Sequence, residues 1–328
     1  MAPALEVTEL AVEFGDGAGR FRAVDDVSLS VADGGALGLV GESGCGKSIT
    51  LRAVMGLLPS GARVVSGRVL AGGTELPLAG SGVRAARRRR VAMVFQDPSS
   101  GLNPVMRVGA QVAEAPRSVL GLSRRRARAR ALELLAMCGV PDPERRARAY
   151  PHQLSGGTRQ RVMIAIALSS DPRILLCDEP TTALDVTIQA QILRLLHDLR
   201  ERMGLAIVFV THSLAVVGEL CDSLAVMYAG RIVEIGATRQ VLDRPGHPYT
   251  LGLLRSAVDL DSPVAEPVSI PGLLHDPLHR PSGCPFHPRC WLAGPECSVT
   301  DVQLEAIGAG RRSACLHHER LGEAASRG

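Results

Sequence analysis

The segment GESGCGKS, residues 41–48, constrains the fold of this chain more than any other part of the sequence. It follows the apolar run ALGLV and precedes SITLRAVMGLL, so a strand, a glycine-rich loop and a helix are predicted in this order. In such a loop, backbone amides and the start of the helix hold phosphate oxygens, a lysine neutralises them and a hydroxyl reaches Mg²⁺. The sequence therefore predicts an α/β fold that binds a nucleoside triphosphate with Mg²⁺.

Lys47 lies in this segment and is the only lysine among the 37 lysine and arginine residues of the chain. A compact ammonium group can reach between the β- and γ-phosphates, whereas a planar guanidinium is too bulky for the same loop. We therefore expect Lys47 to bind the phosphates and Ser48 to bind Mg²⁺. The other positions of the segment expected to contact the nucleotide are Gly41, Ser43, Gly44, Cys45, Gly46 and Ile49.

Composition limits the class of protein. The 328 residues are 46% hydrophobic, enough for one large α/β domain with an appendage. No apolar stretch is long enough to span a bilayer and the N-terminus lacks an export signal, so we expect a chain that stays in the cytosol. The net charge is +4, and no aromatic residues interleave the arginine clusters at 84–90 and 124–130. These clusters are interpreted as solvated faces, with no nucleic-acid partner.

The order of patterns along the chain predicts its organisation. Residues 5–96 are rich in strand patterns, and residues from about 97 to 170 are helical. The apolar runs ILLC, LAIVFV, LAVMYA and IVEIG then alternate with the helical segment TIQAQILRLLHDLRERM. Such runs are typical of strands buried on both faces of a mainly parallel sheet. We therefore expect a domain at 1–245 with a helical subdomain at about 97–170, and a C-terminal extension at 246–328.

Two further motifs carry polar groups. The run ILLCDEP ends in Asp178, placed to hold the metal, and Glu179, placed to polarise an attacking water. Upstream of it, LSGGTRQR at residues 154–161 offers a hydroxyl and free amides at the start of a predicted helix. This second motif is an anion site without a lysine of its own.

With this set of motifs, the chain resembles the nucleotide-binding subunits of ABC transporters. The resemblance implies a P-loop NTPase (RecA-like) α/β fold with a mainly parallel sheet, an antiparallel β N-terminal part, a helical subdomain and a small cysteine-bearing extension. It also implies that Ser155, Gly156 and Gly157 cap the γ-phosphate of ATP bound to the opposite subunit, so that two subunits enclose two ATP molecules.

The same resemblance assigns roles to further residues. Gln96 corresponds to the glutamine that contacts Mg²⁺ and the water, Asp185 to the aspartate that crosses the dimer interface, and His212 to the histidine that contacts the γ-phosphate. Phe21 is favoured as the aromatic that stacks on adenine, with Phe14 as the alternative.

The loop residue Cys45 departs from the family, whose members often carry a small hydroxyl residue at this position. Because the loop uses backbone amides here, we expect activity to survive the change. A thiol in the loop also predicts that alkylating reagents inhibit ATP hydrolysis.

The segments QDPSSGLNPVMRVGAQ and HPYTLGLL, with the cysteine-bearing tail, resemble the oligopeptide/dipeptide (and nickel) importer branch. This implies an ATPase that powers peptide import at the cytoplasmic face of the inner membrane. Its partners would be an identical or related second ATPase subunit, transmembrane permease subunits and, indirectly, an extracytoplasmic solute-binding protein. The alternatives are import of nickel or another small solute, a soluble ABC ATPase acting on DNA or ribosomes, and a metal-sensing regulator.

Four cysteines crowd into the tail: Cys284, Cys290, Cys297 and Cys315. In a reducing cytosol disulfides do not persist, which leaves metal ligation or idle thiols. Four thiolates could hold Zn²⁺ or an iron–sulfur cluster. The resemblance to the peptide-importer branch implies a 4Fe-4S cluster at these residues, and zinc or no metal are the alternatives.

Overall fold

A computed structural model describes residues 2–80, 82–182, 184–256, 270–308 and 310–321, so parts of the predicted extension lie outside the described residues. The strands are β1 (Leu5–Phe14), β2 (Phe21–Val31), β3 (Ala36–Val40), β4 (Ala62–Ala71), β5 (Thr74–Glu75), β6 (Val91–Val94), β7 (Ile174–Asp178), β8 (Ala206–Thr211), β9 (Ser223–Tyr228), β10 (Arg231–Ala237), β11 (Glu305–Gly308) and β12 (Arg311–Ser313).

The α-helices are α1 (Lys47–Met55), α2 (Val83–Arg87), α3 (Pro98–Gly101), α4 (Val108–Val112), α5 (Glu114–Ser118), α6 (Arg124–Met137), α7 (Pro143–Arg148), α8 (Gly156–Leu168), α9 (Val186–Met203), α10 (Leu214–Leu220), α11 (Thr238–Asp243) and α12 (Pro248–Ser256). Short 3₁₀ helices lie at Gly17–Gly19, Pro151–Gln153, His287–Arg289, Pro295–Ser298 and His318–Arg320. None of the described helices is both long and apolar enough to cross a bilayer.

The chain divides into two compact units. The first comprises Met1–Leu5, Val31–Gly35 and Leu70–Val210, and the second comprises Glu6–Ser30, Ala36–Val69 and Thr211–Gly328.

The first unit is built on the parallel strands β6, β7 and β8. Leu176 of β7 pairs with Met93 on one side and with Val208 on the other. The residues of β6 and β7 are all buried, as the continuous apolar runs predicted. Because neighbouring parallel strands end at the same edge, polar residues that follow β6 and β7 are brought close together.

Helices α3 to α8 occupy the chain between β6 and β7. Helix α6 begins after Ser123, whose hydroxyl accepts a hydrogen bond from the N–H of Arg126 at 3.4 Å. Its alanine and leucine face, which includes Ala127, Ala131 and Leu134, is buried, and α4, α7 and α8 pack against this helix or one another. The arginines of α6 lie between these buried positions, on a helix within the region predicted to be helical.

In the second unit, β3 pairs parallel to β9, and β10 pairs antiparallel to β9. The run IVEIG is therefore a largely buried strand, as predicted, but it pairs antiparallel with β9. Strands β2, β1 and β4 lie side by side in the N-terminal sheet, which is antiparallel as expected.

The extension adds two strands to the same unit. Strand β12 pairs antiparallel with β10, with Ser313 opposite Glu234, and β11 pairs antiparallel with β12. Phe286 is fully buried and packs edge-on against Tyr228 of β9, with ring centroids 5.2 Å apart. The extension is poor in apolar residues, and it is held in place by pairing and packing against its own unit.

Candidate nucleotide site

The phosphate-binding segment closes tightly on its neighbours. A side chain at Gly41 would place its Cβ 2.2 Å from the carbonyl oxygen of Met227, and one at Gly46 would lie 2.5 Å from the carbonyl oxygen of Ala23. Gly46 also has φ of 109°, a conformation that side chains disfavour. Helix α1 begins directly after it, with no side chain capping its first turn. Backbone amides in the first turn of a helix fit an anion, so the segment suits a triphosphate.

Lys47 is held within the segment. Its side chain is 4% exposed, and Nζ donates hydrogen bonds to the carbonyl oxygens of Gly41 at 2.7 Å and Glu42 at 2.9 Å. These bonds hold the ammonium group at the loop in which it was predicted to bind phosphates.

Cys45 is 1% exposed, and burial raises the pKa of its thiol. Because the thiolate is the form that reacts with alkylating agents, a raised pKa and a buried sulfur slow the reaction. The structure therefore argues against the expectation that Cys45 is a ready target for thiol reagents.

The predicted carboxylates lie at the end of the buried strand β7, with Asp178 as its last residue and Glu179 directly after it. Asp178 is 2% exposed, and the next residue, Glu179, turns away from the strand with φ of 46°. The hydroxyl of Thr182 donates to Oε2 of Glu179 at 2.9 Å, and Nε2 of Gln96 donates to the same oxygen at 3.4 Å. Gln96 and Glu179, 83 positions apart in sequence, are thus brought into contact at the ends of adjacent strands.

The motif LSGGTRQR forms the start of helix α8. Ser155 is the N-cap, and its hydroxyl accepts a hydrogen bond from the N–H of Thr158 at 3.4 Å. Gly157 lies against helix α9, because a Cβ there would be 2.8 Å from Cγ2 of Ile188. Asp185 caps α9 by accepting a hydrogen bond from the N–H of Ile188 at 2.9 Å. The motif and the aspartate predicted to cross a dimer interface are therefore neighbours.

Two other predicted site residues are Phe21 and His212. Phe21 and Phe14 stack on each other, with ring centroids 5.5 Å apart and an angle of 8° between the ring planes. The preference for Phe21 as the residue that stacks on adenine stays a prediction. His212 is exposed directly after β8, and its contact with the γ-phosphate also stays a prediction.

The four late cysteines come together in the extension. One small cavity is lined by Cys284, Cys290, Cys297 and Cys315, together with His247, His287 and His317. The N–H of Cys284 donates to the carbonyl oxygen of Cys297 at 2.9 Å. The pKa of Cys290 is raised to about 11 and that of Cys315 to about 12. Burial is the largest cause in both, and the neighbouring thiols act in the same direction.

One group of possible metal ligands includes one of these cysteines. Among the described residues, the ligand atoms found within 4.8 Å of one another belong to Glu296, Cys297 and His317, a set that includes only one of the four cysteines. A single tetrahedral Zn²⁺ with bonds of about 2.3 Å would hold four sulfurs roughly 4 Å apart. A metal at the four cysteines, whether zinc or an iron–sulfur cluster, stays a prediction.

The sequence did not predict several residues that contact the phosphate-binding segment of the second unit. Arg289 of the extension pairs with Glu42 of the phosphate-binding segment, and Tyr249 accepts a hydrogen bond from the Glu42 N–H at 2.7 Å. Thr182 was missed in the first unit. The quoted motifs contain Glu42 and Tyr249 but do not predict these contacts, and the available signal was a charged residue inside a loop that binds anions.

Comparison with known proteins agrees with this geometry. The ABC transporter family model matches residues 24–182, and the model for the oligopeptide/dipeptide transporter C-terminal region matches residues 233–297. The structure is similar to a dimeric post-hydrolysis state of the ATP-binding cassette MJ0796 bound to ADP and Pi, with a TM-score of 0.63 and 29% identity, covering 72% of this chain and 99% of that one.

The chain is also similar over nearly its whole length to curated relatives. It is 47% identical to a putative peptide import ATP-binding protein of Brucella abortus, over 96% of this chain and 95% of the relative. It is 44% identical to the dipeptide transport ATP-binding protein DppD of Escherichia coli, over 95% of each chain. The protein is therefore an ATPase with the P-loop fold, and it belongs to the ATP-binding subunits of the ABC transporter family.

Proposed function

We propose that this chain hydrolyses ATP to power the import of di- and oligopeptides through a membrane permease. The observation that carries the proposal is the contact of Gln96 and Thr182 with Glu179, in a chain that also holds a phosphate-binding loop and a helix-capping Ser155. The C-terminal match to oligopeptide/dipeptide transporters and the names of the relatives support peptides as the cargo.

Each of the proposed site residues has a role in ATP hydrolysis. Lys47 and the loop amides hold the β- and γ-phosphates. Ser48, Gln96 and Asp178 would hold Mg²⁺, which would neutralise the charge that develops on the phosphates. Glu179, oriented by its hydrogen bonds, positions the attacking water and accepts its proton. The water oxygen bonds to the γ-phosphorus as the bond to the β-phosphate oxygen breaks, giving ADP and phosphate.

A second subunit completes the site. Ser155, with the amides of Gly156 and Gly157 at the start of helix α8, forms an anion site that caps the γ-phosphate bound to the opposite subunit. Asp185 crosses the interface, and His212 contacts the γ-phosphate and positions Glu179. The close packing of Gly157 on Ile188 supports this role, since it ties the capping motif to Asp185.

The proposed assembly contains two such ATPase subunits, identical or related, bound to transmembrane permease subunits. The chain would lie at the cytoplasmic face of the inner membrane and would act indirectly with an extracytoplasmic solute-binding protein. The dimeric state of the structurally similar cassette supports the pairing.

We also propose that the extension holds a 4Fe-4S cluster through Cys284, Cys290, Cys297 and Cys315. Their common cavity supports this donor set. When bound, the cluster would cross-link strand β12, which precedes Cys315, to the segment at 284–297.

Uptake in a strain that lacks this gene tests the function. We expect the strain to lose uptake of labelled di- or oligopeptides, and the wild-type gene but not the Glu179→Gln gene to restore it. Labelled nickel serves as the competing cargo. Normal peptide uptake in the deletion strain, or lost uptake of nickel alone, contradicts peptide import.

A further inference from the structure

Arg289 of the extension reaches the phosphate-binding loop. Its Nη1 lies 2.7 Å from Oε2 of Glu42 and its Nη2 lies 3.0 Å from Oε1, so that the guanidinium holds the carboxylate by two parallel hydrogen bonds. The two residues are 247 positions apart in sequence, and Glu42 follows the first glycine of the loop.

The guanidinium itself is fixed from several sides. Arg289 is 7% exposed, its Nε donates to the carbonyl oxygen of Pro271 at 2.8 Å, and its charged carbon lies 5.8 Å from the ring centre of Tyr228. The hydrogen bonds to Glu42 are the largest cause that raises the pKa of this arginine. Arg289 is therefore a rigid, permanently charged partner for Glu42.

The backbone of Glu42 is held from the same side. Its N–H donates to the hydroxyl of Tyr249, which is fully buried in helix α12. Phe286, three residues before Arg289, packs against Tyr249 with ring centroids 5.4 Å apart. The residues around Arg289 thus hold both the side chain and the backbone of one loop residue.

Glu42 matters for ATP because of its charge and its place. Its carbonyl oxygen accepts a hydrogen bond from Nζ of Lys47, so it belongs to the loop that binds phosphate. A carboxylate in such a loop repels a triphosphate unless a positive group neutralises it and turns it away. Arg289 supplies this positive group and fixes its direction.

We propose that Arg289 is a positioning residue for ATP: it neutralises Glu42 and holds the phosphate-binding loop in the shape that accepts the triphosphate. The inference rests on the proposed ATP hydrolysis and adds a residue of the extension to the parts that set ATP affinity. Arg289 lies directly before Cys290, so the cysteine-bearing segment and the loop share one rigid connection.

The test compares full-length variants in the complex with the permease. With Arg289→Gln, the Glu42 charge is left uncompensated, and we expect the KM for ATP to rise about tenfold, which corresponds to about 1.4 kcal/mol, with kcat changed less than about twofold. Adding Glu42→Gln to this variant removes the repelling charge, and we expect the KM to return to within about threefold of the wild-type value. A general loss of structure would not be rescued in this way.

Arg311→Gln is the matched control. Arg311 lies in the same extension and pairs with the buried carboxylate of Glu234 at 3.0 Å. We expect this variant to lower the melting temperature and to leave the KM for ATP unchanged. If Arg289→Gln does not fold, Arg289→Lys replaces it: the charge remains but the paired hydrogen bonds are lost, and we expect the KM to rise about threefold.

The inference is overturned if the Arg289 variants keep the wild-type KM, if Arg311→Gln raises the KM equally, or if Glu42→Gln gives no rescue. Calorimetric titration of each purified chain with ATP separates this outcome from failure of the proposed function. If the proposed function fails, the wild-type complex does not hydrolyse ATP, but the affinities of the variants for ATP can still be compared.

Discussion

The hydroxyl of Thr182 donates a 2.9 Å hydrogen bond to Oε2 of Glu179, three residues earlier in the chain. This bond aims the carboxylate that is proposed to accept the proton of the attacking water. Because Glu179 has a positive φ, the backbone alone already turns its side chain away from strand β7, and Thr182 then fixes its direction.

Removing this hydroxyl tests its role. For Thr182→Val we expect kcat for ATP hydrolysis to fall about fivefold with an unchanged KM, since a hydrogen bond of this kind contributes about 1 kcal/mol. Thr182→Ser keeps a hydroxyl and serves as the rescue. Thr74→Val makes the same change at an exposed threonine of β5 and serves as the control. A wild-type kcat in Thr182→Val would show that Glu179 is oriented without this bond.

Ser155 and Ser123 give a matched pair of helix caps. Each hydroxyl accepts a backbone N–H at 3.4 Å, at the start of α8 and of α6 respectively. Replacing either serine by alanine removes a cap that contributes about 1 kcal/mol to stability. We expect only Ser155→Ala to reduce steady-state ATP hydrolysis, by about tenfold or more, with ATP affinity of the isolated chain unchanged. Equal hydrolysis rates in the two variants would assign Ser155 a structural role alone.

Asp25 links stability to pH. Burial by itself raises the pKa of this carboxyl, but hydrogen bonds from Arg22 at 2.8 Å and Arg231 at 2.7 Å lower it overall, to about 2. The pKa is depressed in the folded chain, so the stabilisation is complete above the ordinary value of 3.8 and is lost as the pH falls towards about 2.

The change amounts to about 2 kcal/mol in the free energy of unfolding, from a shift of nearly two pKa units at about 1.4 kcal/mol each. Urea unfolding between pH 6 and about pH 2 measures it. We expect the wild-type chain to lose stability over this range more steeply than Asp25→Asn, whereas Asp198→Asn, on an exposed position of helix α9, follows the wild type. Parallel curves for wild type and Asp25→Asn would refute the assignment.

The sequence predicts much of the nucleotide site because its parts are local. The loop at 41–48, the cap at Ser155 and the carboxylates after β7 are each specified by neighbouring residues, and the structure shows each on the expected element. Helix α6 lies within the region at about 97–170 that was predicted to be helical. Such features depend on periodicity and on capping, which a sequence displays directly.

The missed contacts depend on how distant segments meet. The pairing of Arg289 with Glu42 and the stacking of Phe14 on Phe21 follow from tertiary packing and leave no periodic signal. The antiparallel direction of β10 was also not predicted, because a buried strand has the same apolar pattern in either direction. In the extension, the spacing of the cysteines did not show that all four line one cavity.

The cysteine cavity predicts the metal content of the protein. Anaerobically purified chain should be brown and contain iron and acid-labile sulfide, and Cys290→Ser should lose most of the iron. Cys138→Ser, a buried cysteine of the first unit, should retain it. Colourless, iron-free protein with an intact extension, or protein with one bound zinc, would contradict the cluster.

The mass of the Glu179→Gln chain in sedimentation velocity tests the ATP site shared between two chains most directly. It is measured with and without MgATP, for the chain alone and with its permease and any second ATPase subunit. We expect this variant to bind ATP without hydrolysing it, so that the enclosed ATP holds two ATPase subunits together. We predict an ATP-dependent dimer that Ser155→Arg abolishes. Subunits that stay apart with ATP and all partners present would contradict an ATP site shared between two chains.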